Sequence, residues 1–193
     1  MDRNTTLTHD NIIEFLHDVF IRRGDEEYLG EPVTMAQHML QGAMLAERAH
    51  EDEVVVAASL LHDIGHFTSE FGTFSMDDTE DKWHETVGAD LLEPFFPQLV
   101  IDCIRYHVAA KRYLCSVDPD YFEQLSDASV HSLSLQGGKM SPEEVQVFEV
   151  RDNLQPIVRV RHYDDAGKAP ELTTRQFADY IPLLQRVVDS TRV

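Results

Sequence analysis

The sequence predicts an all-α protein folded as one compact helical bundle, and three observations carry that reading. Apolar residues recur at three- and four-residue spacing along most of the chain. No stretch alternates apolar and polar residues as a half-buried strand does. Pro and Gly fall where such helices would start and stop. With 193 residues, 42% of them hydrophobic, the chain can bury one sizeable core, and a single domain over 1–193 is expected.

The first helix is expected to open at Asp10 or Asn11 and to end at Gly24, with Ile12, Ile13, Leu16, Val19 and Phe20 along one stripe. Residues 25–31 read as a loop. Pro32 suits the first position of a second helix that reaches about His50. A third helix covers roughly 53–64, stopped by Gly65 or ending just before it. The polar, acidic stretch Phe67–Asp81 reads as a loop. Helices follow at about 82–93 and 97–113, with Pro94 and Pro97 between them. Residues 118–135 hold one or two short helices, and Gln136-Gly137-Gly138-Lys139 makes a turn. Ser141-Pro142-Glu143-Glu144 is a capping box with Pro at the first helical position. The helix beyond it is interrupted near Pro156, Asp165–Pro170 form a loop, and Thr173 or Thr174 opens a last helix of about 174–190 that Pro182 kinks.

Composition narrows the function. The formal charge is −19, from 35 acidic and 16 basic residues, so the chain repels phosphate backbones and nucleic acid is not an expected partner. No apolar run reaches the roughly 18 residues that would argue a membrane span, and no signal peptide is visible at Met1–Thr6. Cys103 and Cys115 are the only cysteines and have no CxxC spacing, which favours a reducing, cytoplasmic setting. Nothing argues for a particular oligomeric state. Because positive charge is scarce, any Lys or Arg gathered near a site carries more information than usual.

The chain has ten histidines. His62-Asp63 ends an apolar helix, and neutral imidazole and carboxylate both suit iron, zinc or manganese. Neighbouring residues on a helix point about 100° apart, so the pair can serve one ion or two, and Asp63 is the candidate bridging carboxylate. His38, His84 and His107 each fall on a separate expected helix, so a bundle can aim them inward; Asp164 supplies a late carboxylate. His9, His17, His50, His131 and His162 are read as ordinary packed or surface residues. His107 and Lys111 stand four apart, as do His62 and His66, while Arg161 precedes Asp164 by three. Those spacings set a cation beside the metal ligands, an arrangement suited to a phosphate or phosphonate.

The ordered set His38, His62-Asp63, His84, His107, Asp164 resembles the HD-domain superfamily, in its six-ligand, two-metal form. The strings Leu61-His62-Asp63-Ile64-Gly65-His66, Trp83-His84-Glu85-Thr86-Val87-Gly88-Ala89-Asp90 and His107-Val108-Ala109-Ala110-Lys111-Arg112-Tyr113-Leu114 are similar to those of the mixed-valent diiron oxygenases of the 2-amino-1-hydroxyethylphosphonate dioxygenase type. Tyr28-Leu29-Gly30-Glu31, Leu125-Ser126-Asp127-Ala128-Ser129 and Arg161-His162-Tyr163-Asp164 extend the likeness over about 25–168. The resemblance implies one iron among His38, His62, Asp63 and Asp164, and a second held by His84, His107 and the shared Asp63. It implies a mobile loop on which Tyr28 is a latch near the iron and Glu31 faces the substrate ammonium. His66, Lys111, Ser129 and Arg161 would contact substrate oxygens, and Tyr28, Glu31, His66 and Lys111 would carry the catalysis.

The activity implied is O2-dependent cleavage of the carbon–phosphorus bond of a small 1-hydroxy-2-aminoethylphosphonate by an Fe(II)/Fe(III) pair. The products are phosphate and glycine, or glycine betaine where the amine is trimethylated. Tyr28 and the rings of Phe67, Phe71, Phe74 and Trp83 around the loop after His62-Asp63 tilt the reading towards the trimethylated substrate. The alternative is a two-metal phosphohydrolase acting on a small phosphate ester.

Overall fold

The computed structural model describes residues 6–28, 30–68 and 78–192. Among them it contains eleven helices and no strand, only an isolated antiparallel bridge between Glu27 and Thr34. Helix α1 (Ile12–Arg23) follows the expected stripe and buries Ile12, Ile13, Leu16, Val19 and Phe20. Asn11 stands at its cap position, but its side chain serves the preceding turn, accepting from Thr8 N and donating to Thr6 O.

Helix α2 (Met35–Arg48) does not begin at Pro32. Thr34 caps it: its hydroxyl accepts from Gln37 N while Gln37 Oε1 accepts from Thr34 N. That box satisfies two backbone donors at once, which a proline three residues upstream cannot do. The chain between α1 and α2 is therefore a loop running to Val33, closed at its base by Tyr28 N donating to Val33 O at 3.2 Å.

Helix α3 (Glu53–Leu61) is buried along Val55–Leu61. Gly65 does not stop it; helix α3 ends before His62-Asp63, and Gly65 lies inside a short further helix, α4 (Ile64–Thr68). The reason is tertiary. A Cβ on Gly65 would lie 1.9 Å from the carbonyl oxygen of His84, and one on Gly88 would lie 3.0 Å from Gly65 N. The two glycines let α4 touch helix α5 (His84–Leu92) backbone to backbone. Of the expected loop Phe67–Asp81, residues 69–77 lie outside the described residues, and Phe67 and Thr68 belong to α4.

Helix α6 (Gln98–Val117) follows Pro97, then come α7 (Pro119–Glu123) and α8 (Asp127–Leu135). The expected turn carries Gly137 at φ 94° and Gly138 at φ 72°. The box at Ser141 forms as read and opens α9 (Pro142–Glu149). The break before α10 (Leu154–Ala166) lies at 150–153, so Pro156 does not cause it; Pro156 sits in the first turn of α10, where its missing N–H has no intrahelical partner to lose. Helix α10 also runs further into 165–170 than the expected loop allowed. The last helix, α11 (Phe177–Asp189), opens at a box between Gln176 and Asp179, not at Thr173 or Thr174, and contains Pro182.

Helices α2, α3, α6 and α10 pack on one another at the centre, α5 lies against α6 and α4, and α11 lies across α1 and α3. One apolar cluster joins residues of all of them, including Leu16, Met39, Leu60, Ile101, Val160 and Leu184. Gly65→Ala forces α4 from α5. It is expected to lower stability by about 1–3 kcal/mol, the usual cost of overpacking a close contact, measured by urea unfolding of the metal-free protein.

Candidate metal centre

Six of the expected ligands converge from five segments of chain. His38 comes from α2, His62 and Asp63 from the two-residue break after α3, His84 from the start of α5, His107 from α6 and Asp164 from the last turns of α10. All are buried. The Nε2 atoms of His38 and His62 face each other at 3.0 Å, and so do those of His84 and His107. Asp63 lies between the pairs. Its Oδ2 is 3.5 Å from both His38 and His62 Nε2, and its Oδ1 is 3.3 Å from both His84 and His107 Nε2. Asp164 Oδ1 completes the first group at 3.4 Å from His38 and 3.7 Å from His62.

The outer nitrogens decide what these atoms can do. Nδ1 of His38 lies 3.0 Å from Gly167 O, Nδ1 of His62 2.9 Å from Ser59 O, and Nδ1 of His107 2.7 Å from Ile104 O. A carbonyl can only accept, so each of these nitrogens carries a proton, and each ring, once its Nε2 is free of one, presents an Nε2 lone pair to the interior. His84 differs: its Nδ1 faces the buried Glu85 carboxylate at 3.5 Å. Lone pairs 3.0 Å apart repel unless a cation lies between them. Ligands about 2.1 Å from one ion at right angles are about 3 Å apart, so the spacing fits a metal. Asp164 Oδ1, buried without a hydrogen-bond partner, fits it too. The residues present therefore suit two cations sharing Asp63.

The local field agrees. Burial works against charge on His62, yet Asp63 and Asp164 lift it to about 10. Burial would raise the carboxyls of Asp63 and Asp164; the charge of His62 on the first, and of Arg161 and then His62 on the second, hold both well below the usual range. This is a cluster that favours positive charge between its donors.

One cavity opens onto the cluster, and it is lined by every residue expected at the substrate: Tyr28, Glu31, His66, Lys111, Ser129 and Arg161. Tyr28 stacks on His38 at 4.0 Å, and burial, then the charge of Asp63, raises its hydroxyl well above the ordinary value. His66 stacks on His84 at 4.0 Å with its Nδ1 unpartnered, and burial holds it well below the ordinary value. Lys111 donates to Ser132 Oγ at 2.7 Å; burial, then the charge of Arg161, brings it down to about 7.

Arg161 lines the cavity as expected but departs from a side chain held for the substrate alone. Its guanidinium donates to Asp164 Oδ2 at 2.6 Å, to both oxygens of Asp165 and to Tyr121 Oη at 3.1 Å. The aromatic surround departs as well. Phe67 packs in the core against Phe20, and Trp83 is 61% exposed in a left-handed conformation at the cap of α5. Phe71 and Phe74 lie outside the described residues. Tyr28 is the aromatic side chain among the described residues that lines the cavity.

Sequence reasoning missed Lys168, Asp81 and Ser132, which also line it. Lys168 donates to Glu31 Oε1 at 3.0 Å and to Ser129 Oγ at 2.8 Å. The signal available was its place four residues after Asp164, in a chain poor in cations.

The HD-domain family model matches residues 35–157. The chain is 59% identical to a [1-hydroxy-2-(trimethylamino)ethyl]phosphonate dioxygenase (glycine-betaine-forming) of Leisingera caerulea, over 95% of this chain and 93% of that protein. It is 43% identical to a hydroxymethylphosphonate dioxygenase of Gimesia maris, over 80% and 78% of the two chains. An uncharacterized protein of Acanthamoeba polyphaga mimivirus is 37% identical over 82% of this chain and 72% of its own. With the paired histidines around a shared aspartate, these likenesses show that the chain belongs to the HD-domain family, on the branch that includes the two phosphonate dioxygenases.

Proposed function

We propose that this chain is a two-metal oxygenase that cleaves the carbon–phosphorus bond of [1-hydroxy-2-(trimethylamino)ethyl]phosphonate, forming glycine betaine and phosphate. The observation that carries the reading is Asp63 between two facing histidine pairs at the floor of a cavity that also holds Lys111 and Glu31. The likeness to the glycine-betaine-forming dioxygenase over nearly the whole chain supports the substrate. The balance is one substrate and one O2 to one betaine and one phosphate, the two atoms of O2 making up the difference in oxygen.

In this reading His38, His62 and Asp164 would hold one iron and His84 and His107 the other, with Asp63 shared between the two groups. When bound, an Fe(II)/Fe(III) pair supplies Lewis acidity towards the substrate's hydroxyl and phosphonate and the electrons that O2 chemistry requires. Lys111 meets the phosphonate as a point charge, with Ser129 and His66 as polar neighbours. Arg161 holds Asp164 in place and keeps its second oxygen occupied, so that Oδ1 alone faces the site. Tyr28, stacked over His38, shields the metal side of the cavity from water, and Glu31 marks the end that takes the cationic nitrogen.

Three outcomes are expected. Phosphate release from the trimethylated substrate needs Fe(II) and O2 and stops under argon; equal release without O2 would make the protein a hydrolase. His84→Ala lowers bound iron from about two per chain towards one while helicity persists, because the other ion keeps ligands from separate helices; unchanged iron content would sink the two-ion assignment. Lys111→Ala weakens binding of the phosphonate by about 1.5–3 kcal/mol, the range for a hydrogen bond to a charged group, with iron content unchanged. Titration of the anaerobic, iron-loaded protein reads that loss directly.

A further inference from the structure

Lys168 stands on a turn that α2 fixes from both sides. His38 Nδ1 donates to Gly167 O, while Gln41 donates to Ala169 O at 2.8 Å and accepts from Ala169 N at 3.0 Å. From that anchored turn its ammonium reaches Glu31 Oε1 at 3.0 Å, Ser129 Oγ at 2.8 Å and Ser126 Oγ at 3.4 Å. It also lies 6.0 Å from the centre of the Tyr28 ring, at the edge of the range for a cation held by an aromatic face. Glu31 is tied in addition by the hydroxyl of Ser126, on the same oxygen Oε1. A carboxylate with an aromatic face beside it is the environment that chemistry assigns to a quaternary ammonium, which has no N–H to donate. Here a side chain of the protein already sits in it.

We propose that Lys168 is an internal stand-in for the substrate's cation: it occupies Glu31 in the substrate-free protein, and an incoming ammonium must share or displace it. The inference deepens the reading given under Proposed function and rests on it. Two cations beside one carboxylate repel, and in a cavity shielded from water that repulsion is felt more strongly than at a surface. Lys168 therefore moderates how strongly the nitrogen end discriminates a charged head from an uncharged one. Ser126 keeps Glu31 in place when Lys168 is gone, so removing the lysine leaves the carboxylate free to attract. The selectivity sits in a residue contributed from 137 positions further along the chain than the carboxylate it controls.

The test compares two ligands of the same shape, 1-hydroxy-2-(trimethylammonio)ethylphosphonate and its uncharged tert-butyl counterpart, 1-hydroxy-3,3-dimethylbutylphosphonate. Both are titrated anaerobically into the iron-loaded protein. Because the phosphonate end is common, the ratio of the two dissociation constants isolates the nitrogen end. Lys168→Met is expected to raise the preference for the cation at least fivefold over the wild type, and Lys168→Arg, which keeps the charge, to stay within twofold of it. Iron content of each variant verifies that the centre is intact. A ratio unchanged or reduced in Lys168→Met overturns the stand-in and leaves Lys168 a strut for the loop. If the wild type itself releases no phosphate with O2 from the trimethylated substrate, it is the proposed function that falls.

Discussion

The structure depends on a repulsion that has to be cancelled. Four imidazoles turn their Nε2 lone pairs towards one another in two facing pairs, each 3.0 Å apart, with the Asp63 carboxylate between them. Three keep a proton on Nδ1 for a backbone carbonyl, so the contact is relieved only by a further positive charge between the Nε2 atoms, a metal ion or a second proton such as the one His62 holds up to about 10. Only positive charge inside each pair makes the arrangement favourable, and a shared carboxylate reduces the repulsion between the two charges so gathered. Helices α2, α5, α6 and α10 and the break after α3 deliver that constellation. Ser59 and Ile104 receive the outer protons from one turn upstream of His62 and His107, so the orientation of each ring is written into its own helix. Gly167 does the same for His38 from across the bundle.

Packing and chemistry are coupled most tightly where α4 meets α5. Gly65 and Gly88 bring those helices to backbone contact, and the same contact stacks His66 on His84. A side chain at either glycine would therefore be felt twice, as overpacking and as displacement of a ring in the centre. The dense apolar core behind α2, α3, α6 and α10 resists the adjustments that would soften such a change.

The gathering of these side chains into one buried cluster was legible because histidines on successive helices are unusual and their order along the chain survives folding. The helix boundaries nearest the site were not. Gly65 looked like a terminator because local rules read glycine as a stop, while its actual use is a close approach that only tertiary structure reveals. Pro32 and the threonines at 173 and 174 were read as helix starts by their residue type alone. Thr34 and Gln176 win because each forms a reciprocal box with the residue three further on. Arg161 was read by its charge as a clamp for the substrate; the carboxylates of Asp164 and Asp165, on the same helix, claim most of its donors first. Lys168 was passed over for the complementary reason: its partners, Glu31 and Ser129, are remote in sequence.

The cavity carries side chains of both charges, and that bears on how a zwitterion is held. Lys111 and Arg161 gather on the side of Asp164, and each feels the other: the charge of Arg161 helps burial bring Lys111 down to about 7. Because Arg161 is already shared between two aspartates, Lys111 is the cation with donors to spare for a phosphonate. It donates to the hydroxyl of Ser132. Glu31 supplies a carboxylate to the same cavity, paired with Lys168, whose partner Ser129 lies one turn of α8 before Ser132. A ligand carrying one charge of each sign, separated by two carbons, meets the opposite sign at both ends. A simple phosphate ester meets it only at one. Glu31 is the group there that a cationic nitrogen can use and a plain phosphate cannot, and Lys168, paired with it, sets how much of its charge is left for that nitrogen.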